Sequence, residues 1–146
     1  MNKEWEKYLN LLQDGAVEVG WFPEDKYSDG TPVGGIAGVH EYGSIKMNIP
    51  PRPFMRPTVH TRENRWRDTF LKLLRQKKNV KQALQIVGDV MRGDIQEYII
   101  KLKEPELSED YVAQKRRQYP TNAENLLRAS GHMVRSIRQK INMDLD

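Results

Sequence analysis

Apolar positions recur along this chain at two spacings, and each spacing predicts a different element. Trp5, Tyr8, Leu9 and Leu12 fall at i, i+3, i+4 and i+7, one face of a short helix ended near Asp14 and Gly15. Ala16, Val17, Val19, Trp21 and Phe22 then predict a strand, with Gly20 marking a bulge or a close backbone approach. Residues 23–30 form a polar turn region. Beyond it, Thr31 can cap a helix and Pro32 fits its first turn. Ile36, Val39, His40 and Tyr42 would line that helix, which stops at Gly43. Gly34, Gly35 and Gly38 weaken it in isolation, so it must rely on tertiary packing.

Residues 45–57 hold Pro50, Pro51, Pro53 and Pro57. Proline fixes φ and removes a donor, so the stretch predicts an extended, stiff arm and neither a helix nor a central strand. Helical spacing resumes with Trp66, Phe70, Leu73 and Leu74, then Val80, Ala83, Leu84, Val87, Met91, Ile95, Tyr98 and Leu102. This predicts helices over 60–78 and 80–103, broken at Asn79, which with Gln82 can form a capping box. Glu104 and Pro105 end the helical region, and Ser108 can cap a short helix over 109–118. A loop at 119–122, a helix over 123–129 ended by Ser130 and Gly131, and a final strand within 133–145 complete the reading. No repeat and no linker divides the chain.

A length of 146 residues suits one domain, read here over 1–146. With 30% charged residues the apolar supply is thin, and part of it is expected to serve partners. There is no cysteine, hence no disulfide framework and no thiolate metal site, which fits a reducing cytoplasm. No apolar run approaches the roughly 20 residues that cross a membrane, and the charged start is not a secretory signal. The formal charge of +4 hides a split. Residues 1–43 carry eight acids and three bases, whereas residues 44–146 carry 21 bases and 12 acids. Such a split predicts a nucleic-acid contact or an assembling surface with opposite faces.

Candidate chemistry is sparse. His40 and Glu41 begin the zinc-protease pattern, but position 44 is serine where a second histidine is needed. His60 and His132 stand alone in sequence. Ser130-Gly131-His132 lacks the Gly-x-Ser-x-Gly elbow, and the glycines at 30, 34, 35 and 38 make neither a dinucleotide fingerprint nor a P-loop. The chain is therefore read as no enzyme, with no cofactor, no metal and no small-molecule substrate. Arg52, Arg56, Arg62, Arg65 and Arg67 cluster around Phe54 and Trp66. Basic residues interleaved with aromatics suit a protein interface, the favoured reading, or a nucleic-acid backbone.

Two blocks carry a family resemblance. Val39-His40-Glu41-Tyr42-Gly43-Ser44, followed by Ile49-Pro50-Pro51-Arg52-Pro53-Phe54-Met55-Arg56-Pro57, resembles the virion-morphogenesis and tail-completion proteins of tailed bacteriophages and prophages. Their pattern is a His-Glu-aromatic-Gly turn, a spacer, then Pro-x-Arg-Pro-Phe-hydrophobic-Arg-Pro leading into a long helix. Downstream, Leu107-Ser108, Lys115-Arg116-Arg117 and the run from Leu126 through Gly131 and Met133 to Ile137 resemble the family's closing region, with Ser130 where threonine is common. The blocks stand in the family's order and together span about 17–141. The resemblance implies an α+β fold, with a small antiparallel sheet packed against long helices. It implies a structural role at the neck or tail end, completing the tail or joining tail to head, in rings around the tail axis. The expected partners are further copies of the chain and other neck, tail or portal proteins, in the virion or in the host cytoplasm during assembly.

On this reading the arm at 45–57 reaches a neighbouring subunit. Its expected interaction residues are His40, Glu41, Tyr42, Arg52, Phe54, Met55, Arg56, Arg65 and Trp66. Arg52 and Arg56 would make charge-assisted hydrogen bonds, Phe54 would fill a partner's pocket, and the acidic first third would face a basic part of a neighbour. The competing placement puts Phe54 in its own core. The rival functions are a basic DNA-binding module contacting the phage genome, a tail-terminator-type protein, and a metal hydrolase centred on His40 and Glu41.

Overall fold

The computed structural model describes residues 15–102, 108–118 and 131–143. The elements run β1 (Gly15–Gly20), α1 (Val33–Tyr42), α2 (Met55–Arg75), α3 (Val80–Lys101), α4 (Glu109–Gln118), α5 (His132–Arg135) and β2 (Arg138–Met143). Helices of 21 and 22 residues dominate, and the only sheet among the described residues is an antiparallel pair of β1 and β2. The fold is a small α+β domain. The expected helix at 5–12, the loop at 119–122 and the helix at 123–129 lie outside the described residues.

Alternation sets the sheet's two faces. Val17 pairs with Ile141 and Val19 with Gln139, so these side chains share one face, against α3. Ala16, Glu18, Lys140 and Asn142 share the other. Gly88 lets α3 come close, because a Cβ there would lie 2.8 Å from Val17 Cγ2 and 3.3 Å from Gln139 Cβ. α3 begins with the capping box read from sequence: the Asn79 side chain accepts from Gln82 N–H at 2.8 Å, and Asn79 N–H donates to Gln82 Oε1 at 3.4 Å.

The core has two clusters, and α3 belongs to both. One gathers Val33, Ala37, Phe54, Ile95, Ile99, Met133, Val134 and Ile137. The other gathers Trp66, Phe70, Leu74, Val80, Ala83, Leu84 and Val87, with Val17 and Ile141 of the sheet against it. α2 is tied to α3 by Trp66, whose indole N–H donates to Asp94 Oδ2 at 2.6 Å, and by Arg65, 3.3 Å from Asp94 Oδ1.

Several boundaries differ from the sequence reading: β1 stops at Gly20, short of Trp21 and Phe22, and the helix expected to reach 78 stops at Arg75. The final strand begins at Arg138, because Met133 and Val134 sit in the helical turn α5 and are buried in the core. Helix α1 starts from Pro32, with no side-chain cap. Helix α2 starts at Met55, so the arm ends at Phe54 and Pro57 lies inside the first helical turn. Proline is tolerated there because its missing N–H would have no helical partner anyway.

Candidate functional site

The block at 39–57 folds onto itself around one carboxylate. Glu41 sits in the last turn of α1 and is only 4% exposed. Phe54 N–H and Met55 N–H donate to its Oε2 at 2.7 and 2.9 Å, and Arg56 N–H donates to Oε1 at 3.1 Å. These are the opening amides of α2, which has no side-chain cap of its own at Phe54. Glu41 therefore caps α2 from another helix, where a negative charge also meets the positive end of the helix dipole. Burial alone would raise the Glu41 pKa. The amides of Phe54, Met55 and Arg56, with the Arg56 guanidinium, outweigh it and hold the carboxyl below its ordinary value.

The surrounding residues complete this clamp. Arg56 Nε donates to Glu41 Oε1 at 2.9 Å, and its guanidinium lies 4.7 Å from the centre of the Tyr42 ring. Gly43 ends α1 at φ 74°, and a Cβ there would lie 2.8 Å from Pro51 N and 2.9 Å from the Ile49 carbonyl oxygen. Glycine is needed at Gly43 for both the conformation and the space. The Arg52 N–H donates to the His40 carbonyl at 2.7 Å, drawing the proline segment against the end of α1. Phe54 then enters the core, 1% exposed, with the Trp21 ring edge-on at 5.7 Å. Trp21 in turn donates to the Met133 carbonyl at 2.8 Å, so the downstream block packs against the first.

The clamp leaves a tight turn standing outward. Ser44 and Ile49 exchange backbone hydrogen bonds of 2.8 and 2.9 Å, closing a loop of four residues. Met47 N–H donates to Ser44 Oγ at 3.2 Å, and Asn48 takes the left-handed conformation at φ 51° that such a turn requires. Ile45 is fully exposed on this turn, Met47 is 60% exposed, and Tyr42 beside it is 69% exposed.

Of the nine expected interaction residues, His40, Glu41, Tyr42, Arg52, Phe54, Met55 and Arg56 meet in the clamp, while Arg65 and Trp66 lie farther along α2 on Asp94. The expectation that Phe54 fills a partner's pocket is corrected: it fills its own core, because Glu41 anchors the backbone on either side of it. Glu41, Arg52 and Trp66 are buried too, whereas Arg56, Arg65 and Arg67 stay exposed, so the cluster is divided between core and surface. The exposed apolar residues Ile45 and Met47 were missed. Their signal was present in sequence, as two apolar residues inside a turn bounded by Gly43-Ser44 and Asn48.

The charge split also has an internal use. Glu24 and Asp25 hold Arg138, with Arg138 Nε 3.0 Å from Asp25 Oδ1. Lys140 reaches Glu24 as well, and Phe22 lies beneath both cations. Hydrogen bonds from Lys140 and Arg138 lower the exposed Glu24 carboxyl to a pKa of about 2. The expectation that the acidic first third faces a neighbour is corrected for Glu24, Asp25 and Glu41, which are engaged within the chain. Among the described residues, no group of three His, Asp or Glu side chains is placed to hold a metal ion, and no helix is long and apolar enough to cross a membrane. Comparison with protein-family models, curated proteins and solved structures finds no match.

Proposed function

We propose that this chain is a structural protein of a bacteriophage virion, which completes the tail or joins tail to head as a subunit of a ring. The two sequence blocks at 39–57 and 107–137 supply the family resemblance. The observation that carries the reading is the apolar turn at 44–49, held rigid at its base by the Glu41 clamp and exposing Ile45 and Met47. An apolar surface fixed before contact loses little entropy on docking, which favours assembly. A heterologous contact, in which this turn meets a different patch of the next copy, is the kind that closes rings. The work is geometric, and no catalytic step is assigned.

Light scattering and electron microscopy of assembled material test this. Ile45→Asp with Met47→Asp is expected to leave the fold intact, by circular dichroism, and to abolish assembly. Phe54→Ser is expected to unfold the chain, since emptying a buried phenylalanine site costs about 3–5 kcal/mol. Normal assembly by the Ile45/Met47 variant would overturn the proposed contact.

A further inference from the structure

A run of exposed cations lies at the far end of α2 from the clamp. Between Thr69 and Gly88 the sequence has Lys72, Arg75, Lys77, Lys78 and Lys81 and no acid. In the fold these residues gather at one tip, where the antiparallel helices α2 and α3 are joined through Gln76 to Asn79. All five are exposed. Lys72 and Arg75 sit in the last turn of α2, where cations suit the helix dipole and have a structural use. Lys77 and Lys78 follow the α2 C-terminus, where their N–H groups donate to the Leu74 and Leu73 carbonyls, whereas Lys81 lies in the first turn of α3, where the dipole disfavours a cation. Five exposed cations within ten residues exceed what two helix ends use, and such a concentration points to an anionic partner.

We propose that this tip binds the phosphate backbone of double-stranded nucleic acid without reading its sequence. The neighbouring side chains decide between a nucleic acid and an acidic protein. Lys78, Gln82, Gln85, Ile86, Asp89 and Gln139 line an open groove of about 440 Å³ beside the tip, with Asp89 paired to Arg92, so one lysine and three amides are its remaining polar side chains. Lysine and glutamine are ordinary phosphate donors. Protein interfaces are instead poor in lysine and rich in aromatic residues and arginine. The only aromatic residue between Thr69 and Gly88 is Phe70, which is buried, so nothing there stacks on single-strand bases. This contact is separate from the turn at 44–49, and either can hold without the other.

Fluorescence anisotropy with a labelled duplex, over a series from low to moderate salt, tests it. Each phosphate neutralised contributes about −0.9 to the slope of log affinity against log salt, so the lysines predict a slope of about −3 to −4. Lys77→Gln/Lys78→Gln/Lys81→Gln is expected to weaken binding at least about tenfold and to flatten the slope by about 2 to 3. Lys26→Gln/Lys46→Gln/Arg117→Gln removes the same charge elsewhere and is expected to bind as the parent does. The tip variant is expected to keep the parent's circular dichroism spectrum and to melt within a few degrees of it, because the three side chains are exposed, so its loss of binding is not a loss of fold. Failure of the parent to bind duplex at low salt overturns the proposal and leaves an acidic protein as the fitting partner. Equal weakening in both variants, or tighter binding to single strand than to duplex, overturns it as well.

Discussion

Glu41 shows how much one side chain can decide. It was read as half of an abortive metal motif or as an interface contact, whereas its carboxylate holds three backbone amides and a guanidinium. Arg56 is 59% exposed on its side chain, so its ion pair is screened and Arg56→Ala should cost less than about 1 kcal/mol. The backbone amides are different, because glutamine would keep one acceptor oxygen and turn an NH2 donor toward amides that the other oxygen now accepts from. Glu41→Gln is expected to destabilise the fold by about 2–3 kcal/mol in urea unfolding at neutral pH. The pH dependence follows from the same contacts. The folded pKa of Glu41 lies below its ordinary value of 4.5, so its stabilisation is present above that value and is lost as pH falls through the folded pKa. Glu41→Gln should remove this part of the acid destabilisation, and an unchanged acid profile would show that another group carries it.

At the scale of elements, two glycines on α3 separate propensity from packing. Gly88 lies against β1 and β2, and a Cβ would press on Val17 and Gln139, whereas Gly93 has open space around it. Alanine improves helix propensity by about 1 kcal/mol at either site. At Gly88, overpacking of about 1–3 kcal/mol outweighs this gain. Gly93→Ala is thus expected to raise the melting temperature and Gly88→Ala to lower it, and equal shifts would contradict this packing of α3 on the sheet. Most elements were legible from spacing alone: the Asn79 capping box, the stop at Gly43 and helix 109–118 stand where periodicity and capping put them. The start of α2 was not. Three prolines before Phe54 do stiffen an extended segment, but Pro57 continues into a helix because Glu41, distant in sequence, fixes the first turn. Met133 and Val134 fit a strand by alternation yet turn helical before β2 begins.

Across the whole molecule, α3 is the shared wall of both core clusters: Ile95 and Ile99 serve one, and Ala83, Leu84 and Val87 the other. The clusters should therefore open together. Native-state hydrogen exchange is expected to give one opening free energy for the slowest amides near Ile99 and near Ala83, and two distinct values would show independent units. The sheet adds to this coupling, since β1 and β2 come from opposite ends of the described chain and meet only when the helices between them are packed. By itself the sequence determined most of the helices, the Asn79 capping box, the apolar faces and the basic run from Lys72 to Lys81, because these follow from local spacing and chain chemistry. Only the tertiary structure decided which members of the 39–57 block face inward. A buried carboxylate needs donors, and those donors are backbone amides that no side-chain pattern encodes. Glu41 and Phe54 were thereby drawn into the fold, and Ile45 and Met47 were left as the part that faces outward.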